Sequence, residues 1–148
     1  MVQLPDVTAY LHAEIAITRA MGIEVAAWDG TTVTLAAPLA PNLNHADTAF
    51  GGSISTLGIL AGYSLLHLIF LERKLSTRIL IQKSETDFLR PIDDAMRATA
   101  AISTPAALDD FLDTIQRKRR ARMEVESKIL CRNVLAATHR GLFVAMKY

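Results

Sequence analysis

Between Gly30 and Leu71 the chain carries one ionised side chain, Asp47. It lies within Asn44-His45-Ala46-Asp47-Thr48-Ala49-Phe50-Gly51-Gly52-Ser53, a run that ends at a long apolar stretch. If that stretch is a helix, Gly51 and Gly52 stand at its head. The first backbone N–H groups of a helix have no partner inside it, and the helix dipole adds positive potential there. Glycine lets an oxygen approach closely. A carbonyl turning into an oxyanion would be held there, an effect worth about 3 kcal/mol per donor. Asn44 carries an amide that both donates and accepts, so it orients a water or an acyl oxygen but is no base. A carboxylate beside an apolar helix suits general-base work, which falls to Asp47. Each residue also has a plain structural reading. Gly51-Gly52 would allow tight helix packing, Asn44 an Asx turn, and Asp47 a helix-start acid favourable to the dipole.

His45 is either a substrate contact or an exposed loop residue. Phe50 and Tyr63 line either an apolar pocket or the core, and His67, deep in the apolar stretch, reads as a core histidine. Ser53 lacks the Gly-x-Ser-x-Gly elbow of a nucleophilic serine and reads as a helix-start donor. The four histidines have no metal-ligand spacing, so no metal and no cofactor is expected.

The elements that must position these residues follow from periodicity. Pro5 to Gly22 reads as one helix. Two β-prone runs flank Asp29-Gly30, a hairpin signal. Pro38 to Asp47 is an irregular loop, and a helix runs from about Phe50 to Lys74. Ile79 to Leu89 alternates, with Leu80, Gln82, Ser84, Thr86 and Phe88 on one face and Ile81, Lys83, Glu85 and Asp87 on the other. Met96 to Ser103 is a strand and Pro105 to Arg117 a helix burying Leu108, Phe111, Leu112 and Ile115. Two more strands follow, turning near Arg132-Asn133, with Gly141 a candidate bulge. One long apolar helix needs a wrapping. Six strands in a curved antiparallel sheet would supply it, an α+β architecture in a single domain over residues 1–148.

The chain has 148 residues, 16 basic and 15 acidic, for a net charge of +1. That balance argues against nucleic acid as a partner. The run Arg117-Lys118-Arg119-Arg120-Ala121-Arg122 is either a solvated turn or, with Arg90, a contact for a nucleotide phosphate. A single cysteine, Cys131, excludes an intramolecular disulfide framework and suits a reducing cytoplasm. No signal peptide is expected at the N-terminus. Ala49 to Leu71 has no Asp, Glu, Lys or Arg and is long enough to span a bilayer. Its Ser53, Ser55, Thr56, Tyr63, Ser64 and His67 favour a buried helix over a membrane span.

The Asn44–Ser53 loop, standing after a hairpin and before a buried helix, resembles the signature loop of the hotdog-fold thioesterases. Phe88-Leu89-Arg90-Pro91 at the end of the next strand resembles that family as well. The likeness is greatest to the thioesterase-like domain that some bacteria carry fused to an acetyltransferase, whose Asn, Gly-Thr, Phe-Gly-Gly-Ser pattern is nearly kept. Asp47 replaces the glycine usual before Thr48. The acid that one hotdog branch carries inside the central helix, near Gly58 or Ile59, is missing, and a stand-alone version without the acetyltransferase is expected. The resemblance implies a hotdog fold, a homodimer or dimer of dimers, and a site between subunits that hydrolyses an acyl thioester on coenzyme A or an acyl carrier. Catalytic roles would fall to Asn44, Asp47 and Gly52, and substrate contacts to His45, Phe50, Gly51, Ser53 and Arg90. If Asp47 is not the base, Glu85 or Asp87 of the second copy would be. A non-catalytic acyl-CoA-binding module, and a hydratase using His45 with Asp47, are the other readings.

Overall fold

The computed structural model describes residues 1–148. The N-terminal segment forms two helices, α1 (Leu4–Glu14) and α2 (Ala16–Met21), where the periodicity predicts one. Ile15 leaves helical geometry at φ −125°, ψ 88°. The second piece is tied back by Arg19 donating to the His12 carbonyl (2.9 Å), while His12 Nε2 meets the Ile23 carbonyl (2.7 Å). Gly22, at φ 70°, ends α2 in the left-handed region.

Next come β1 (Glu24–Trp28) and β2 (Thr32–Ala37), joined at Asp29-Gly30 as the turn chemistry requires. A loop with one 3-10 turn leads into α3 (Gly51–Glu72). Then follow β3 (Thr77–Phe88), β4 (Met96–Ala101), α4 (Pro105–Lys118), β5 (Arg120–Cys131) and β6 (Val134–Lys147). Thr104 caps α4, its hydroxyl accepting from the Ala107 N–H (3.0 Å). The β5–β6 turn uses Arg132 and Asn133, both at positive φ, as a two-residue hairpin demands.

The six strands form one antiparallel sheet in the order β1-β2-β4-β5-β6-β3. It curves around α3, which is about 33 Å long by its rise per residue. Leu57, Leu65, Leu66, Leu68 and Ile69 are fully buried against it. By length and composition α3 would cross a membrane, but 67% of its most apolar window is buried in this core. The sheet is what accounts for its apolarity. Gly58 and Gly62 bring the helix close: a Cβ on them would lie 2.5 Å from His139 Cβ and 2.6 Å from the Phe143 ring. α4 covers the other end, Phe111 stacking on Phe70.

Two expectations for the strands are corrected. β3 does not alternate throughout, because a bulge between Ile81 and Lys83 leaves Gln82 without a paired position. Ile81 lies opposite Phe143 and Ser84 opposite Gly141, so Ile79 and Ile81 share the α3-facing side with Ser84, Thr86 and Phe88. Gly141 is no bulge. It holds regular register with Val125 and Ser84, and an added Cβ would sit 2.7 Å from the Phe143 ring.

Candidate active site

The loop before α3 is a pinched turn. Leu43 and Ala49 form an isolated antiparallel bridge, and the Asn44 N–H donates to the Thr48 carbonyl (2.7 Å). Inside it Asn44 Oδ1 accepts from the N–H groups of Ala46 (2.8 Å) and Thr48 (3.1 Å), and Nδ2 donates to Thr48 Oγ1 (2.9 Å). Both ends of the Asn44 amide are therefore engaged within its own loop. Asp47 sits at the tip, exposed, at φ 60°. A left-handed backbone explains why glycine is usual in this place and why aspartate is tolerated. His45 is exposed beside it, and no hydrogen bond joins the two.

The loop is anchored from below by a residue the sequence reading passed over. Asn42 is 2% exposed, and its Nδ2 donates to the carbonyls of Met21 (2.9 Å) and Pro38 (2.8 Å). Its own carbonyl accepts from the Phe50 N–H (2.7 Å), while the Ala49 N–H donates to Ile92 C=O (2.8 Å). These bonds set the direction in which α3 leaves the loop.

The first backbone bond of α3 runs from the Ile54 N–H to the Phe50 carbonyl (3.1 Å), so the N–H groups of Gly51, Gly52 and Ser53 have no backbone acceptor. No side chain caps this end and no acid stands in its first turn. Two aromatic rings flank it. Phe50 is 57% exposed, and a Cβ on Gly52 would lie 2.3 Å from its ring. Phe88, at the end of β3 and 55% exposed, has its ring 3.5 Å from the equivalent point on Gly51. Three unpaired donors and two apolar rings thus meet at the exposed head of α3, and Asp47 stands four residues before it in the chain. Such a spot can hold an acyl oxygen and shield the group attached to it.

A turn further along α3 lies an apolar groove of about 340 Å³, between Thr56, Ile59 and Tyr63 of the helix, Ile79 and Ile81 of β3, and Ile15 and Ile17 of the N-terminal segment. The β3 bulge is what turns Ile79 and Ile81 toward the helix.

Several candidates lie elsewhere. Glu85 and Asp87 alternate with Ser84, which bonds His139 Nε2 (2.7 Å), and Thr86, which accepts from Ser55 (2.8 Å). Both acids therefore point to the sheet face away from α3. Arg90 follows β3, near the site. Its N–H donates to Ala136 C=O (3.1 Å), and its guanidinium is exposed with no ion partner. The basic run stands at the other end of the sheet. Phe88 is level with Ala137 and Ile129, nine positions along β5 from Arg120, or about 30 Å. Arg90 and the basic run therefore share no site within one chain.

His139 is a further polar residue missing from the sequence reading. It is 2% exposed beneath α3, Ser84 meets its Nε2, and its Nδ1 has no protein partner. Burial pushes its pKa down, as it does that of His67. The signal available in the sequence was Gly58, whose missing side chain makes room for it.

A six-stranded antiparallel sheet of this order curved around a long central helix is the hotdog fold. The chain belongs to the family described as "Putative thioesterase (yiiD_Cterm)", whose model matches residues 4–147. It is similar in structure to a "putative thioesterase" from Shewanella oneidensis, at 26% identity, TM-score 0.87 and coverage of 97% of this chain and 96% of that one. It is also similar to a protein of unknown function from Chlorobaculum tepidum TLS, at 24% identity and TM-score 0.92, covering 97% and 94%. A thioesterase from Haemophilus influenzae shares the fold at 13% identity and TM-score 0.67, covering 99% and 92%. Family and neighbours together support a thioester hydrolase.

Proposed function

We propose that this protein is a cytoplasmic, single-domain acyl-CoA thioesterase whose site lies at the head of α3 and is completed by a second copy of the chain. The observation that carries the reading is the set of unpaired N–H groups on Gly51, Gly52 and Ser53, with an apolar groove that begins at Thr56, one turn further along the same helix. The thioester carbonyl oxygen accepts from the Gly52 and Ser53 N–H groups, which favour the negative charge that grows on it as the carbonyl carbon becomes tetrahedral. The Asp47 carboxylate takes a proton from the attacking water. Collapse of the tetrahedral species expels the thiolate, leaving a carboxylic acid. Asn44 acts as a positioning residue, since its Oδ1 holds the N–H groups of Ala46 and Thr48 on either side of Asp47. Phe50, Gly51, His45 and Ser53 border the thioester, and Arg90 is the free cation for a phosphate of the coenzyme.

The second copy is argued from β3. This twelve-residue strand pairs only with β6, so its outer edge is open, with Leu80, Ile81 and Phe88 exposed. An open strand edge of that length offers its backbone N–H and C=O groups to a second chain.

The test is a panel of acyl-CoA substrates with released thiol as the signal, run on the native chain and on Gly52→Ala. Hydrolysis by the native dimer is expected, and at least a tenfold loss in the variant as its Cβ drives the Phe50 ring over the donors. A chain that releases no thiol from any member overturns the enzymatic reading, and a monomer in sedimentation removes the shared site. Asp47 makes no hydrogen bond or ion pair, and that favours one second reading, an acyl-CoA-binding module without turnover. Saturable binding with no thiol released would establish it.

A further inference from the structure

Gly52, Thr56, Ile59, Tyr63 and His67 fall on one stripe of α3, at helical spacing, and none of them is buried, whereas most of the helix around them is. The stripe is a trough in two parts. Beside Thr56, Ile59 and Tyr63 lies the apolar groove of about 340 Å³. Beyond, around His67 and Leu71, lies a second, open depression of about 720 Å³, bordered by Val2, Val7 and Asp6 of the N-terminus and by Glu72. A single side chain from another element stands between them. Tyr10 of α1 lays its ring flat on His67, centroids 4.4 Å apart and planes within 5°, and its hydroxyl meets the Tyr63 hydroxyl at 3.1 Å. Tyr63 and His67 are themselves stacked, so the Tyr10 ring completes a stack of three.

We propose that Tyr10 is the residue that determines acyl-chain length, by closing the groove that leads from the α3 donors. This rests on the reading of the α3 head as the thioester site. Gly52 and Tyr63 are eleven residues apart, about 16 Å along the helix. An extended chain advances roughly 1.3 Å per carbon, given a C–C bond of about 1.5 Å. The groove therefore accepts chains up to about twelve carbons, and longer ones meet the rings. Tyr63 and His67 are held by α3 itself and lie along the trough, whereas Tyr10 reaches over from α1. Without its ring the two cavities join, and the trough runs on to Leu71, about 12 Å further.

Hydrolysis and binding of acyl-CoAs from four to eighteen carbons, read as thiol release and by calorimetry, test this. The native chain is expected to lose at least tenfold in kcat/KM and in affinity beyond about twelve carbons. Tyr10→Ala should raise the sixteen-to-eight-carbon ratio at least tenfold, while Tyr10→Phe, which keeps the ring, keeps the native profile. Ile59→Trp, which fills the groove on the near side of Tyr10, should move the limit to shorter chains and decides the matter if Tyr10→Ala does not fold. A native profile in Tyr10→Ala, or in Ile59→Trp where Tyr10→Ala does not fold, overturns the proposal while leaving thioester hydrolysis standing. Absence of any thiol release defeats the hydrolase reading instead, and the binding profile still reads the role of Tyr10.

Discussion

Asp47 combines two demands in one residue: its backbone occupies a conformation that suits glycine, and its side chain is the carboxylate nearest in sequence to the α3 head. Replacing it separates them. Asp47→Gly satisfies φ 60° at no steric cost but adds chain entropy to the unfolded state, so stability should stay within about 1 kcal/mol of native. Turnover should fall about a hundredfold or more with loss of the base. Native turnover in this variant, with an unchanged melting temperature, would exclude Asp47 as the base. The turn at Asn44 and the glycine pair at the helix head were legible because each is set by neighbours within a few positions. Asn42 was not, since one of its partners, the Met21 carbonyl, is 21 residues away and polarity alone does not mark a buried asparagine. Asn44 shows the limit of residue type: an amide suited to holding water proves to be bound up in the turn it builds.

At the scale of elements, the contact of α3 with β6 depends on absent side chains. Alanine at Gly62 would gain about 1 kcal/mol in helix propensity. Its Cβ, however, meets a Phe143 ring that is 1% exposed and has nowhere to move. Overpacking of this kind costs about 1–3 kcal/mol or more, so Gly62→Ala should unfold at lower urea concentration than native. The same substitution at Gly52 meets the exposed ring of Phe50, which can swing aside, and should leave the urea midpoint nearly unchanged. Equal midpoints for both variants would refute this account of the packing. Periodicity predicted nearly every element, including the buried face of α4 with Leu108, Phe111 and Ile115. It failed where an element departs from its period: the break at Ile15, tied by bonds within the N-terminal segment, and the bulge at Gln82, set by pairing of β3 with β6.

For the whole molecule, burial leaves two histidines, His67 and His139, harder to protonate than in the unfolded chain. As pH falls below about 6.5 the unfolded state takes up these protons before the folded state does, so stability declines there and is unaffected above. Carboxylates titrate lower and add little above about pH 5. The melting temperature should therefore drop between pH 7 and 5.5, and His139→Gln should flatten that slope, even at lower stability overall. An equal slope in native and variant would show that His139 takes up its proton alike in the folded and unfolded chain. The sequence by itself determined the long apolar helix, the hairpins, the α+β class and the loop at the helix head, because these follow from local periodicity and turn chemistry. Only the tertiary structure decided which face of β3 meets the helix, that His139 lies beneath it, and that Tyr10 crosses the trough. Those depend on strand register and on contacts between residues far apart in the chain, which no local pattern encodes.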